Sequence, residues 1–247
     1  MSWRNNGCCG PLSITMSNNW FQFKQFTVQH DRCAMKVGTD GVVLGAWAQG
    51  GNRILDVGTG SGIVAMMMAQ RYPLATVYAI DIDTEACLQA SENFRVSPFA
   101  GRIYVSNMAV QDFENEQLFD SIVSNPPYFA DSLRNPDGQR AMARHTDTLS
   151  FDDLCKAAYR WLAEDGTFSV IVPAEGAEAF ESSAIISGFF LARRHLIKTT
   201  ERKLPKRCLM AFAKQSPAIL DQKVLTLFDG NGDKTPWYRQ LTEPFYL

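Results

Sequence analysis

At 247 residues with a formal charge of −2, the chain is long enough to bury a full core and carries no excess of charge that would mark it as a bulk polyanion binder. Its six cysteines, at 8, 9, 33, 87, 155 and 208, are scattered without a C-x-x-C pair or a Cys/His cluster at metal spacing. That pattern suits reduced thiols and a cytoplasmic protein without metal, and no apolar run approaches the length that spans a bilayer.

Residues 1–15 show no periodicity, and Met16 resembles a natural start, so a disordered leader or upstream start is expected there. Beyond it, strand and helix periods alternate. Asn52 to Val57 reads as an apolar strand, Ser61 to Arg71 as a helix, Ala75 to Ile80 as a strand and Thr84 to Val96 as a helix. Arg102 to Val105 and Phe119 to Ser124 supply two more strands. Ser150 to Leu162 reads as a helix with Ser150 and Asp153 placed as a capping box and one apolar stripe of Leu154, Ala157, Ala158, Trp161 and Leu162. Gly166 to Val172 is another strand, and Phe189 to Lys198 with Cys208 to Lys214 form a final pair. Alternation of this kind predicts an α/β domain, a doubly wound and mostly parallel sheet with helices on both faces.

Leu55-Asp56-Val57-Gly58-Thr59-Gly60-Ser61-Gly62 lies between the first strand and first helix of that series, where an open α/β sheet binds its ligand. Asp56, ahead of Gly58 and Gly60, would oppose a pyrophosphate and welcome an ammonium, which favours a ligand with an amino-acid end. Asp81 ends the next strand, where an acid can accept hydrogen bonds from both ribose hydroxyls; Asp83, two residues on, is expected to cap the following helix. Loop and acid imply a nucleoside-containing ligand without separating NAD from S-adenosylmethionine.

Asn125-Pro126-Pro127-Tyr128 makes that separation. Two prolines stiffen the turn after a strand, leaving the Pro126 carbonyl and the Asn125 side-chain oxygen as acceptors and Tyr128 as a flat face. Such a turn could grip a planar group bearing an NH₂.

Together these residues make the chain resemble the class I S-adenosylmethionine-dependent methyltransferases that act on planar nitrogen, and most closely the bacterial tRNA(Val) adenine-N6 methyltransferases. The stretch Ala34-Met35-Lys36-Val37-Gly38-Thr39-Asp40-Gly41 is similar to that group's N-terminal cofactor motif, and Leu204-Pro205-Lys206-Arg207 to its late basic motif. The resemblance implies a Rossmann-like domain over 16–247, with the cofactor motif in 16–50 and a core and basic C-terminal part in 51–247. It implies a seven-stranded sheet with an antiparallel edge hairpin. Expected at the cofactor are Lys36, Gly38, Thr39, Asp40, Asp56, Gly58, Gly60, Asp81, Ile82, Val110 and Asn125, and expected in catalysis are Asn125, Pro126 and Tyr128. Related chains usually carry an Asp where this one has Ala109, so adenine recognition would pass to the backbone around Val110 or to Asn107.

RNA contact is expected from Arg202, Lys203, Lys206 and Arg207, within a basic stretch that also holds Arg193, Arg194 and Lys198, and from Arg140 and Arg144. His30, His145 and His195 read as ordinary polar positions. The expected protein is a monomeric enzyme acting on tRNA, with S-adenosylmethionine as donor and no membrane partner. A protein-glutamine methyltransferase shares the same turn, but only about fifty residues precede the glycine loop, too few for the helical domain such enzymes carry. A DNA adenine methyltransferase would want a target-recognition domain that is not visible. A non-catalytic cofactor-binding RNA module and a nicotinamide oxidoreductase remain further readings.

Overall fold

The computed structural model describes residues 18–33, 36–127 and 149–247; the expected leader, Tyr128, Arg140, Arg144 and His145 lie outside them. A small antiparallel hairpin, β1 (Trp20–Gln22) and β2 (Thr27–Gln29), stands apart from the main sheet. The α/β series then runs α1 (Thr39–Trp47), β3 (Arg53–Val57), α2 (Ile63–Arg71), β4 (Thr76–Asp81), α3 (Thr84–Val96), β5 (Ile103–Asn107) and β6 (Phe119–Ser124). It continues with α4 (Phe151–Trp161), β7 (Leu162–Pro173), α5 (Ala177–Ile186), β8 (Phe190–Thr200), β9 (Arg207–Ala213), β10 (Asp221–Phe228) and α6 (Pro236–Thr242).

The main sheet has the order β10-β8-β9-β7-β6-β3-β4-β5, and only β9 runs against its neighbours. It holds eight strands where seven were expected, because β10 adds to the outer side of β8. β10 carries Val224, Leu225, Leu227 and Phe228 yet buries only Leu227, as an edge strand does. The caps fall where local chemistry puts them. Asp83 accepts from the amides of Glu85 (2.9 Å) and Ala86 (3.4 Å), and the Ser150 hydroxyl accepts from the Asp153 amide at 3.1 Å and donates to the Asp153 carboxylate at 2.7 Å. The stripe on α4 is buried as its spacing predicts.

Helix α1 is buried from Gly41 to Trp47, and its glycines explain how it lies so close to α2. A Cβ on Gly45 would sit 2.9 Å from the Met67 Cβ, and one on Gly41 would sit 3.1 Å from the Ile63 side chain. At its far end the Trp47 indole donates to His195 Nδ1 at 3.0 Å, while His195 Nε2 lies 3.0 Å from the Asp221 carboxylate. An indole N–H can only donate, so Nδ1 is the acceptor and the neutral ring carries its proton on Nε2, toward Asp221. Burial lowers the His195 pKa, which keeps the ring neutral despite Asp221. The Arg193 guanidinium stands 4.0 Å above the Trp47 ring. His195 is thus a structural tie between α1, β8 and β10. Trp47→Phe strips the buried Nδ1 of its donor and is expected to lower unfolding free energy by about 1–3 kcal/mol, read from urea titration.

Candidate active site

Parallel register brings the functional ends of the strands to one edge. Val57 pairs with both Ile80 and Ser124, and Asp81 with Asn107, so the loops after β3, β4, β5 and β6 are neighbours. Gly58, Gly60 and Gly62 take φ of +72°, +54° and +82°, the left-handed region that side chains resist. Gly62 is also held by space, since a Cβ there would lie 2.3 Å from the Phe94 ring. At Gly58 and Gly60 an added Cβ would meet nothing within 4 Å. Those two glycines present bare backbone to an open cradle, which is what a nucleoside-bearing cofactor needs for close approach.

Asp56 shapes that cradle from beneath. Only 1% exposed, its Oδ2 accepts from the Thr59 hydroxyl at 2.7 Å and the Ala65 amide at 3.1 Å. Burial pushes its pKa up to about 7 against those two hydrogen bonds, with Asp81 adding a smaller push. Asp56, expected at the cofactor, turns its Oδ2 into the loop, toward Thr59 and the first turn of α2. Thr59, which the sequence reading passed over, is its partner, and a hydroxyl three residues after a strand-end acid is the signal that marks it.

Asp81 ties the cradle to the next turn. Its Oδ2 accepts from the Gly60 amide at 2.8 Å and its Oδ1 from the Asp83 amide at 3.0 Å. Asn107 donates to the Asp81 and Ile82 carbonyls at 3.0 and 2.9 Å and accepts from the Thr84 hydroxyl at 2.9 Å. Both ends of the Asn107 amide are engaged in bracing this turn. Ile82 is 56% exposed beside Asp81, an apolar surface at the site's rim. Val110, buried, opens the 3-10 turn after β5.

Asn125 and Pro126 follow directly from β6, the strand between β3 and β7. The buried Ser124 hydroxyl donates to the Val57 carbonyl at 2.8 Å, pinning the start of this turn to the start of the glycine loop. Asn125 is half-buried, Pro126 buried and Pro127 exposed.

The remaining expected residues divide. Gly38, in extended backbone, precedes α1, and Gly41 meets Ile63 at the start of α2. Asp40, expected at the cofactor, accepts from Arg207 Nε at 2.7 Å, so it pairs with a residue expected at RNA. Arg207 also donates to the Lys206 carbonyl. Elsewhere in the basic stretch Arg194 pairs with Glu181 at 3.0 Å, Arg193 faces Asp221 at 3.6 Å, and Lys198 donates to the Glu201 carbonyl. Arg202, Lys203 and Lys206 are exposed on the loop between β8 and β9. Since Pro173 of β7 pairs with Arg207, that loop rises from the same edge as Asn125-Pro126. Among the described residues no cluster of His, Cys, Asp or Glu could hold a metal ion, and no helix is long and apolar enough to cross a membrane.

Residues 38–178 match the family model of the methyltransferase small domain. Over 235 residues the chain is 48% identical to the tRNA1(Val) (adenine(37)-N6)-methyltransferase of Phocaeicola vulgatus, covering 94% of this chain and 99% of that protein. The protein of the same name from Citrobacter koseri is 41% identical over 238 residues, covering 94% and 97%. The chain belongs to this methyltransferase family. Its fold agrees with that of a predicted O-methyltransferase from Agrobacterium tumefaciens, at a TM-score of 0.63 and 21% identity over 83% of this chain and 96% of that one.

Within the family's glycine loop, Asp56 makes a measurable prediction. A buried acid whose folded pKa is raised to about 7 binds its proton more tightly than the unfolded chain does, so stability falls as pH rises from about 4 to about 7. Asp56→Asn keeps an acceptor for Thr59 and Ala65 and removes the buried charge. Without ligand it should melt higher than the unaltered protein at about pH 8 and no higher at about pH 4. Equal shifts at both pH values in thermal denaturation would contradict the assignment.

Proposed function

We propose that the chain transfers the methyl group of S-adenosylmethionine to the exocyclic N6 of adenosine-37 in tRNA(Val). The observation that carries this reading is the Asn125-Pro126 turn at the end of β6, latched by Ser124 to the glycine loop after β3. The names of the relatives point to the same substrate. The residues present fit the cofactor: bare backbone at Gly58 and Gly60, the Asp81 carboxylate at the strand end, and exposed Ile82 beside it. When bound, S-adenosylmethionine supplies an electrophilic methyl on a sulfonium.

The chain's own contribution is to make a poor nucleophile competent. The N6 lone pair of adenine is delocalised into the ring. The Asn125 side-chain oxygen and the Pro126 carbonyl accept its two protons and draw the nitrogen toward tetrahedral geometry. Positive charge grows on that nitrogen during transfer, so both acceptors bind the transition state more strongly than the ground state. Tyr128, two residues after Pro126, is assigned to stacking on the base, and no general base is required. The proton is lost to solvent after transfer. Asn125→Ala should lower kcat by roughly 10²–10³ with cofactor affinity nearly unchanged, read by methyl transfer to tRNA(Val) and by calorimetry. Mass spectrometry of nucleosides from that tRNA, incubated with the enzyme, tests the site itself: the absence of N6-methyladenosine at position 37 would refute the reading.

The exposed cations on the β8–β9 loop supply the phosphate contacts. Lys203→Glu should weaken tRNA binding and reduce the salt slope of the binding constant by about 1, with cofactor affinity unchanged. An unchanged slope in titrations across salt would remove Lys203 from the interface.

A further inference from the structure

A second cleft, of about 210 Å³, opens on this edge of the sheet beyond β7. Its floor is apolar, with Ile171 of β7, Ile197 of β8 and Phe228 of β10, and the Phe228 ring is steadied edge-on by Tyr238 at 5.6 Å. Its rim is polar: the hydroxyl residues Thr39 and Thr199, the Asp40–Arg207 ion pair at 2.7 Å, and Lys206. The cleft is smaller than the about 300–1,000 Å³ typical of sites that enclose a metabolite. It suits one planar ring with its sugar and phosphate left outside.

We propose that this cleft receives an unpaired base of the RNA near the methylated adenosine, with Lys206 and Arg207 facing its phosphate. The proposal rests on the reading that the substrate is a tRNA. Three observations converge on it. The partly exposed Phe228, over the buried Ile171 and Ile197, offers apolar contact to a base face, and the rim offers hydroxyls and a carboxylate to base edges, the chemistry by which proteins read splayed-out loop nucleotides. Two cations stand against one carboxylate at the mouth, which favours a phosphate there. Spacing also fits: the cleft runs from β7 to β10, and three strand intervals of about 4.8 Å put its β8 wall about 14 Å from the Asn125-Pro126 turn. That span equals about four stacked steps of 3.4 Å along one strand, and fewer when the bases are splayed. A loop entering with its adenosine at β6 therefore brings a nearby nucleotide to this cleft. The ion pair has a specific part here, since Asp40 holds the Arg207 guanidinium in one orientation at the rim.

The test reads RNA binding, independent of turnover. A fluorescently labelled anticodon stem-loop of tRNA(Val) is titrated against the unaltered protein and Thr199→Trp, which fills the cleft. Thr199→Leu serves as a smaller plug should the indole disturb folding. Both variants should keep the melting temperature and the S-adenosylmethionine affinity of the unaltered protein, while Thr199→Trp binds the stem-loop about tenfold more weakly. Stem-loops carrying an abasic nucleotide at each loop position in turn should show a similar loss at one position near the adenosine. That loss should vanish in Thr199→Trp, because both changes remove one contact. Unchanged RNA affinity in folded variants, or losses that add at every position, would overturn the proposal. Failure of the function reading shows separately, as absence of methyl transfer by the unaltered protein that still binds the stem-loop. An unaltered protein that does not bind it overturns both.

Discussion

The structure turns on one buried carboxylate. Asp56 stands at the end of β3 with almost no solvent contact, and its Oδ2 gathers the Thr59 hydroxyl and the Ala65 amide. An unpartnered carboxylate in such a place would be untenable, so the chain must fold back over it. That requirement draws the glycine loop into its tight left-handed path and sets the start of α2 above it. The Gly60 amide then reaches Asp81, and the Asp81 backbone is braced by Asn107. A cradle spanning three strands is built outward from a single acid.

A second system, remote from this one, holds the outer half of the sheet. α1 lies against α2 through Gly41 and Gly45, and its last turn is locked to β8 and β10 through Trp47, His195 and Asp221. Its first turn is locked to β9 through Asp40 and Arg207. One short helix thus couples the glycine loop to the strands that carry the basic loop. Charge that looks like a continuous surface stripe in the sequence is divided by this packing. Arg193 and Arg194 serve internal ties, Arg207 is held by Asp40 while still partly exposed, and Arg202, Lys203 and Lys206 face outward.

Sequence was most informative where local chemistry decides structure. The parallel strands, the helix from Thr84 to Val96 and the caps at Asp83 and Ser150 all follow from period and from short-range hydrogen bonding. The placement of the glycine loop and of Asn125-Pro126 at neighbouring strand ends follows from the same alternation. What stayed hidden depends on distant partners. β10 is half polar, buries one residue and owes its place to pairing with β8. Asp40 and Arg207 are 167 positions apart, and nothing in either neighbourhood forecasts their ion pair. The turn of Asp56 into the protein, and the engagement of Asn107 in bracing, likewise emerge only when loops from three strands are set side by side.

The Ser124 hydroxyl, bonded to the Val57 carbonyl, has a wider consequence. It joins the two strand ends that bear the cradle and the rigid turn, and these strands are adjacent, so their separation is the ordinary spacing of a hydrogen-bonded ladder. The interval between the glycine loop and the Asn125-Pro126 turn is in that sense a lattice constant of the sheet, not an adjustable loop dimension. The outer strands and their loops can then vary in sequence while that interval stays in calibration.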